Sequence, residues 1–396
     1  MLRAGSAKKC LKSQASSQHV ITKDHTGLRY IPRLTLGRLL EIHKINYTIF
    51  ERDTSPRPAN ARTGTLDLHA ENGLLALQEA GLMDEFKMLA RWDTPTILAR
   101  STGEHIISLN EDGSANRPEI DRKALRAMLL DSIPPDRICW GCKVRTAKRQ
   151  ADGLCSIKFA DGQIRSGFKL VVGADGAWSK VRSLVTDVKP VYSGMHYLSS
   201  EVPLESPFLP QTEALVGKGT YMALGGGKQL VGQRLGTGSY FVGVGLHLPE
   251  AWDVQANLAD SSAFRHELVS NEFKEFAEEQ KDLVLHSEGE FYSWPLYELP
   301  KDSLQWEHVP GATLIGDAAH LCIPSGEGVN VAMHDALQLA QCITQYGLHD
   351  LDRAVAEYEK QMYPRAIAMA EDAEQSKSLW ALDSPNGFLR SIGMEV

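Results

Sequence analysis

The sequence has no apolar run that could cross a membrane, no secreted disulfide framework and no repeat of fixed period. A membrane span needs roughly 18 consecutive apolar residues, and none are found. The six cysteines are scattered along the chain, so a reducing compartment is expected. The net charge of −8 offers no basic excess for nucleic acid or an anionic membrane. These absences predict a cytoplasmic protein with no nucleic-acid partner and no membrane span.

The bulk composition is that of a globular protein, with 43% hydrophobic and 23% charged residues. A chain of 396 residues is longer than one hydrophobic core usually serves, which favours two domains or one domain with an inserted lobe. Residues 1–28 are rich in lysine and serine, with no acid before Asp24. We expect them to form a disordered tail, with a mitochondrial presequence as the alternative.

A glycine-rich phosphate loop is also absent where one is expected. Apolar residues at helical spacing from Leu34 to His43 precede a β-rich run, INYTIFERD, which ends in acid at Glu51. This is the second half of a dinucleotide-binding βαβ unit, in which the acid binds a ribose. The segment before the helix reads HTGLRYIPRLTLG and contains no G-x-G-x-x-G; Arg33 stands about where the last loop glycine belongs. The sequence therefore predicts that the first strand and its loop are missing, and a wrongly joined first exon or a truncated gene copy is our hypothesis for the cause.

The segment from Leu314 to Asn330, LIGDAAHLCIPSGEGVN, has the opposite character, because its glycines are in place. An apolar strand runs into Gly316-Asp317, and Gly326 and Gly328 precede an amphipathic helix. This layout brings backbone close to a bulky anionic ligand and directs a carboxylate at its hydroxyl groups. It predicts a cofactor site.

Between these two segments the character of the chain changes. Residues 191–300 contain alternating β-like runs, which predict an antiparallel sheet lobe. We assign residues 29–190 and 301–396 to one nucleotide-binding domain, 191–300 to a substrate-binding lobe, and two strands within 92–112 to the same lobe. The predicted class is α/β, with a Rossmann-like domain that lacks its first strand and loop.

Three motifs occur in register: Glu51-Arg52-Asp53 after a strand, GADG at 173–176, and GDAAH at 316–320 before GEGVN. Together they resemble the FAD-dependent monooxygenases of the p-hydroxybenzoate hydroxylase type. The runs TGTLDLH at 63–69 and PEIDRKALRAMLL at 118–130 look especially like the branch that includes tetracycline-inactivating monooxygenases. The resemblance extends from about Leu34 to Leu379.

The resemblance implies that FAD is bound mainly by residues of these motifs. The cofactor-binding candidates are Glu51, Arg52, Asp67, Arg122, Asp175, Asp317, Gly326, Glu327, Gly328, Val329 and Asn330. The substrate-facing candidates in the inserted lobe are Tyr197, Ser199, Met222 and Phe241, and ordinary sheet packing is the alternative for each. No catalytic side chain and no metal ligand is implied, because the cofactor carries the chemistry.

The function implied is hydroxylation of a small aromatic or polyketide-like molecule by FAD, NAD(P)H and O2 through a flavin C4a-hydroperoxide. One alternative is a truncated, inactive relic that binds FAD weakly or not at all, since the missing loop would remove the backbone donors for the diphosphate. A second alternative is a flavin-dependent epoxidase or related oxidoreductase. The expected partners are a small-molecule substrate and O2, and the expected state is a monomer or weak dimer.

Overall fold

The structure is a computed structural model that describes residues 19–22, 30–56, 64–109, 117–252 and 261–381. Its element order alternates strands and helices at both ends of the chain and is rich in strands in between. The described residues form four sheets and two large hydrophobic cores. This is the mixed α/β class that the sequence predicts.

A parallel sheet of five strands lies at the centre of the first core, in the order β17-β11-β1-β2-β7. Its strands are β1 (His19–Thr22), β2 (Thr48–Phe50), β7 (Ile138–Cys139), β11 (Leu170–Gly173) and β17 (Ala312–Leu314). Because the strands are parallel, their carboxyl ends meet at one edge, where α/β proteins bind ligands.

The prediction that the first strand is missing is wrong. His19–Thr22 pairs in parallel with β11 on one side and with β2 on the other. A run of only four residues inside a polar segment gives little periodic signal, and two neighbouring strand edges supply the hydrogen bonds that define it. The strand also lies inside the expected tail of residues 1–28. The predicted loss of the glycine loop concerns the segment HTGLRYIPRLTLG, residues 25–37, of which 25–29 lie outside the described residues and the rest belongs to a helix, Tyr30–Ile42.

The second large sheet has seven strands in the order β16-β12-β15-β14-β13-β4-β5. They are β4 (Thr96–Arg100), β5 (His105–Leu109), β12 (Val191–Val202), β13 (Thr220–Gly225), β14 (Lys228–Arg234), β15 (Tyr240–His247) and β16 (Glu288–Glu298). All pairs are antiparallel except β13 with β4. One face packs on helices in the second core, so the other face is left to meet the first domain.

Two small sheets complete the strand structure. One pairs β3 (Thr65–Asp67) with β6 (Glu119–Asp121), and the other comprises β8 (Val144–Arg149), β9 (Cys155–Phe159) and β10 (Ile164–Phe168). Buried Glu119 on β6 accepts hydrogen bonds from Thr65 Oγ1 at 3.0 Å and from Thr220 Oγ1 on β13 at 3.2 Å. The β3–β6 pair therefore attaches the seven-stranded sheet to the first domain.

The helices cover the sheets. They are α1 (Tyr30–Ile42), α2 (Leu75–Glu79), α3 (Met83–Leu89), α4 (Arg122–Asp131), α5 (Leu209–Val216), α6 (Ser261–Glu272), α7 (Glu278–Leu285), α8 (Asp317–His320), α9 (Gly328–Tyr346) and α10 (Leu351–Ala381). Short turns of other helix types span Ala70–Leu74, Pro135–Arg137, Arg182–Leu184 and Lys301–Ser303. Within the described part of the chain, no helix is both long and apolar enough to cross a membrane.

Candidate functional site

A small cavity opens at the carboxyl edge of the parallel sheet, beside β11 and β17. Its lining includes Ala174, Gly176, Ile315, Asp317, Gly328 and Val329. Gly316 turns the chain at the end of β17 with a φ of 59°, a conformation that L side chains rarely adopt. The carboxylate of the next residue, Asp317, has no hydrogen bond or ion pair with any described residue. An unpaired, half-buried carboxylate at a cavity is the expected form of a ligand contact.

A buried network holds this turn. Asp335 on α9 is fully buried and accepts the backbone N–H of Gly316 at 2.9 Å. The same carboxylate lies 2.6 Å from His320 Nε2 and accepts a hydrogen bond from Arg365 Nη2 at 2.8 Å. Burial alone would raise the pKa of Asp335, but His320 and Arg365 lower it, and the net shift is downward. The carboxylate therefore stays charged and fixes the Gly316-Asp317 turn.

Arg182, which sequence reasoning missed, joins this turn to the GADG motif. Its guanidinium is buried and donates to the backbone oxygens of Asp317 at 3.0 Å, Ala318 at 2.9 Å and Ala177 at 2.7 Å. Asp175, a predicted cofactor residue, is fully buried and accepts hydrogen bonds from Ser179 and from the backbone N–H of Lys180 and Val181. Its side chain thus stabilises the local turn, while its neighbours Ala174 and Gly176 line the cavity.

The N-terminus of α9 lies on the other side of the cavity. Gly328 and Val329 line it, and their contact with a ligand at this helix start stays a prediction. Asn330 is fully buried and joins α9 to the end of β3, because it donates to the backbone oxygen of Asp67 at 3.0 Å and accepts the backbone N–H of His69 at 2.9 Å. A Cβ on Gly73 would lie 2.6 Å from Asn330 Oδ1, so this contact requires a glycine there.

His69 links two of the predicted cofactor residues. Its Nε2 lies 2.9 Å from Asp67 Oδ2, and its Nδ1 lies 3.2 Å from Glu327 Oε2. Burial lowers the pKa of His69, but the hydrogen bonds to Asp67 and Glu327 outweigh it and raise the pKa to about 9. The imidazole is therefore a cation at neutral pH. The run TGTLDLH resembles the family in sequence, but only the fold brings Glu327 to this histidine.

At the early end of the same sheet edge, Glu51 follows β2 and is buried at 1% exposure. Its Oε2 is paired with Arg33 Nη2, and its Oε1 accepts the backbone N–H of Asp53 at 2.8 Å. Arg33 lies on α1 and is also 1% exposed. Arg52 Nε lies 3.8 Å from Asp53 Oδ1, and the Arg52 side chain is partly exposed. The predicted ribose acceptor is thus satisfied by the chain itself.

Two predicted cofactor residues remain: Gly326, which has a φ of 92° and is outside the cavity lining, and Arg122, which begins α4 where the β3–β6 pair meets the seven-stranded sheet. A Cβ on Gly64 would lie 3.5 Å from Arg122 Nε and 3.9 Å from Gln233 Oε1 on β14. The side chains of Arg122 and Gln233 therefore lie close together, so Arg122 is near the seven-stranded sheet.

The four substrate candidates share one face of the seven-stranded sheet. Ser199 pairs with Gly243, Gly243 with Val231, and Val231 with Met222, and residues paired across strands point to the same side. Alternation along β12 and β15 places Tyr197 and Phe241 on that side as well. A Cβ on Gly243 would lie 2.2 Å from Tyr197 Oη and 2.9 Å from Phe241 Cε1.

This face is the one that meets the first domain, because Gln233 and Thr220 lie on it beside Arg122 and Glu119. The Tyr197 ring lies 5.5 Å from Trp294. Burial raises the pKa of Tyr197 well above its usual value, so the phenol stays neutral. The opposite face carries Leu198, Val242 and Val244, which pack in the second core.

The residues around Asp317 suit the flavin half of FAD, whereas the residues around Glu51 do not suit the adenylate half. The cavity with Asp317 and the α9 N-terminus offers a free acceptor and backbone donors, which suit a ribityl chain and a flavin ring edge. Near Glu51 the carboxylate is already paired, and the adjoining helix begins with buried side chains at Tyr30, Ile31 and Arg33. Among the described residues, no group of three His, Cys, Asp or Glu side chains could hold a metal ion.

The chain is similar to named monooxygenases over nearly its whole length. It is 31% identical over 387 residues to monooxygenase penA of Penicillium thymicola, covering 84% of this chain and 89% of the relative. It is 30% identical over 404 residues to monooxygenase asqM of Emericella nidulans, covering 86% of this chain and 90% of the relative. A scan against protein-family models found no match.

The fold is also that of a solved flavoprotein. Klebsiella pneumoniae HpxO, in a crystal structure with FAD and uric acid, aligns with a TM-score of 0.76 at 20% identity, covering 95% of this chain and 92% of HpxO. At that identity the match concerns the fold.

Proposed function

This chain belongs to the family of FAD-dependent monooxygenases, and we propose that it uses FAD and NAD(P)H to insert one oxygen atom of O2 into a small aromatic substrate. The observation that carries the proposal is the unpaired carboxylate of Asp317 at the cavity between β17 and the start of α9. When bound there, the flavin supplies the redox and oxygen-transfer chemistry that the family resemblance implies.

In this proposal Asp317 accepts hydrogen bonds from the ribityl hydroxyls. Asp335, His320, Arg365 and Arg182 fix the backbone on both sides of it, so the carboxylate is held in position before a ligand arrives. Across the cavity, the positive end of α9 at Gly328 and Val329 favours negative charge on a bound ring.

The substrate would lie between this cavity and the sheet face that carries Tyr197, Ser199, Met222 and Phe241. Aromatic and apolar side chains lie on this face beside polar ones such as Gln233, and small-molecule sites usually combine both. Arg122 lies at the junction and offers a cation toward an acidic substituent or the cofactor. HpxO holds uric acid, a small ring compound, in the same fold. We propose an aromatic ring with electron-donating substituents as the substrate class, and the buried face would exclude water from the reacting atoms.

The proposal is tested by titrating the purified full-length chain with FAD and then adding NADPH or NADH under O2 with a panel of aromatic compounds. We expect flavin uptake, substrate-stimulated NAD(P)H oxidation, and a product that contains oxygen from O2 by mass spectrometry. Because a buried charge-assisted hydrogen bond contributes roughly 1.5–3 kcal/mol, Asp317→Asn should weaken flavin binding at least about tenfold.

The matched control is Asp187→Asn, which changes an exposed aspartate outside the cavity lining and should leave flavin binding unchanged. A wild-type chain that takes up no form of flavin would contradict the proposal. Equal flavin affinity in wild type and Asp317→Asn would show that the cavity is not the site.

A further inference from the structure

Two places that would meet the adenylate half of FAD, the Glu51 carboxylate and the start of α1, are filled by side chains of this protein. We infer that the chain binds flavin through its riboflavin half alone and leaves the adenylate half unbound, because Arg33 closes the ribose subsite at Glu51. The inference rests on the proposed function and deepens it: the ligand class is a flavin, with no selection for the dinucleotide over riboflavin or FMN.

The first argument is the Arg33–Glu51 pair. In a dinucleotide-binding βαβ unit, the acid after the second strand accepts hydrogen bonds from ribose hydroxyls. Here both oxygens of Glu51 already accept hydrogen bonds, one from Arg33 and one from the backbone N–H of Asp53. Both members of the pair are 1% exposed. Breaking a buried ion pair leaves an uncompensated charge, so a neutral hydroxyl competes poorly for this carboxylate.

The second argument is the packing at the start of α1. A phosphate loop needs glycine there, so that the backbone can approach the diphosphate. Instead, Tyr30, Ile31 and Arg33 are buried there, while the buried Pro32 lines the cavity beside Asp317. The Arg126 guanidinium stacks 4.0 Å from the centre of the Tyr30 ring, and the Arg33 guanidinium lies 5.1 Å from it. Two cations and one ring thus fill the space beside Glu51 at the start of this helix.

These guanidinium groups also allow a rival outcome. Arg33 Nε and Nη1, and Arg126 Nε and Nη2, are buried without hydrogen-bond partners. Such donors would suit a diphosphate if the space between them could open. The rival predicts that removing Arg33 weakens the binding of adenylate-containing ligands, whereas our inference predicts that it strengthens it. The two readings differ in the sign of one measured change.

The experiment titrates riboflavin, FMN, FAD and ADP into the full-length chain, with flavin fluorescence for the first three and calorimetry for ADP. For wild type we expect FAD and riboflavin to have dissociation constants that agree within about threefold, and ADP to show no binding. Because Arg33→Gly frees a buried acceptor for ribose hydroxyls, it should tighten FAD relative to riboflavin by at least about tenfold and should make ADP binding measurable.

The matched control is Arg38→Gly, which makes the same substitution on the same helix. Arg38 donates to the backbone oxygens of Ala80 and Ser132 and does not pair with Glu51, so the ratio of FAD to riboflavin affinity should not change. If Arg33→Gly does not fold, as judged by a thermal melt, Arg33→Met preserves most of the side-chain volume and gives the same readout.

The inference is overturned if wild type binds FAD far more tightly than riboflavin. It is also overturned if the folded Arg33 variant shows no increase in affinity for FAD relative to riboflavin and still does not bind ADP. ADP provides a readout that needs no flavin. If no flavin binds to either protein but ADP binds to the Arg33 variant alone, the proposed function fails and the closed subsite is confirmed.

Discussion

Two carboxylates stand at the same edge of one parallel sheet, and the chain treats them in opposite ways. Glu51 follows β2, is fully buried, and is paired with Arg33. Asp317 follows β17, lines a cavity, and has no partner in the described part of the structure. Both lie where α/β folds bind ligands, so position in the fold does not explain the difference.

The difference lies in the residue that approaches each acid. Gly316 lets the chain turn beside Asp317 without a side chain, and Asp335 holds that turn from behind. Beside Glu51, the helix presents an arginine where a dinucleotide unit has glycine. A site for a ligand therefore depends on what is kept away from the acid as much as on the acid itself.

The largest expected effect tests this contrast through stability. Glu51→Ala leaves the Arg33 charge buried and unpaired, so we expect a loss of ~3–5 kcal/mol in the free energy of unfolding. Asp317→Ala removes a carboxylate without partners and should change it by no more than ~0.5 kcal/mol. Denaturant unfolding of both variants measures the difference.

A double variant separates charge from packing. Arg33→Met combined with Glu51→Leu replaces the pair by apolar side chains and should recover most of the stability that Glu51→Ala loses, since buried pairs are often replaceable in this way. Similar losses of unfolding free energy for Glu51→Ala and Asp317→Ala would remove the contrast between the two carboxylates.

The next prediction concerns the buried network around Asp335, which holds the Gly316-Asp317 turn at the cavity. Asp335→Asn keeps the shape of the side chain but removes the negative charge that His320 and Arg365 share. We expect a loss of ~2–3 kcal/mol in unfolding free energy and a weaker hold on the Gly316 turn. Asp352→Asn is the control, because Asp352 also accepts a glycine N–H, that of Gly311, but is exposed; it should cost less than ~1 kcal/mol. Equal losses for the two variants would argue against a special role for Asp335.

Local patterns in the sequence predicted the turn at Gly316-Asp317 and the helix that follows Gly326. Gly316-Asp317 and the helix start at Gly328 are placed by glycines, whose meaning is local, and the structure has both at one cavity. The shared face of Tyr197, Ser199, Met222 and Phe241 follows from alternation along strands and from register. The roles of these residues toward cofactor and substrate stay predictions.

What the sequence could not predict depends on contacts between distant residues. The Arg33–Glu51 pair joins a helix to the following strand, and the pattern showed only that a glycine was missing. The strand at His19–Thr22 is defined by two neighbours, one of which, β11, lies far along the chain. The contact of His320 with Asp335 joins residues 15 positions apart, and it forms because α9 packs against the turn. The acid within the apolar pattern of α9 was the one available signal.

The smallest expected effect concerns the histidine that fastens the loop before α9. His69 gains its charge from Asp67 and Glu327, which raise its pKa to about 9 against the burial that lowers it. The folded-state pKa is above the unfolded value of about 6.5, so its stabilisation is complete below about pH 6.5 and is lost as the pH rises through about 9. The free energy of unfolding of wild type minus that of His69→Gln should therefore be on the order of 1 kcal/mol near neutral pH and shrink in alkali.

The control is His266→Gln, which changes an exposed histidine on α6 and should show no such dependence on pH. A pH-independent difference for His69→Gln would mean that packing, and not its charge, joins β3 to α9. The cavity beside Asp317 would then keep its shape without the ionic contacts of His69. That would sharpen the contrast with Glu51, which is held by an ion pair with Arg33.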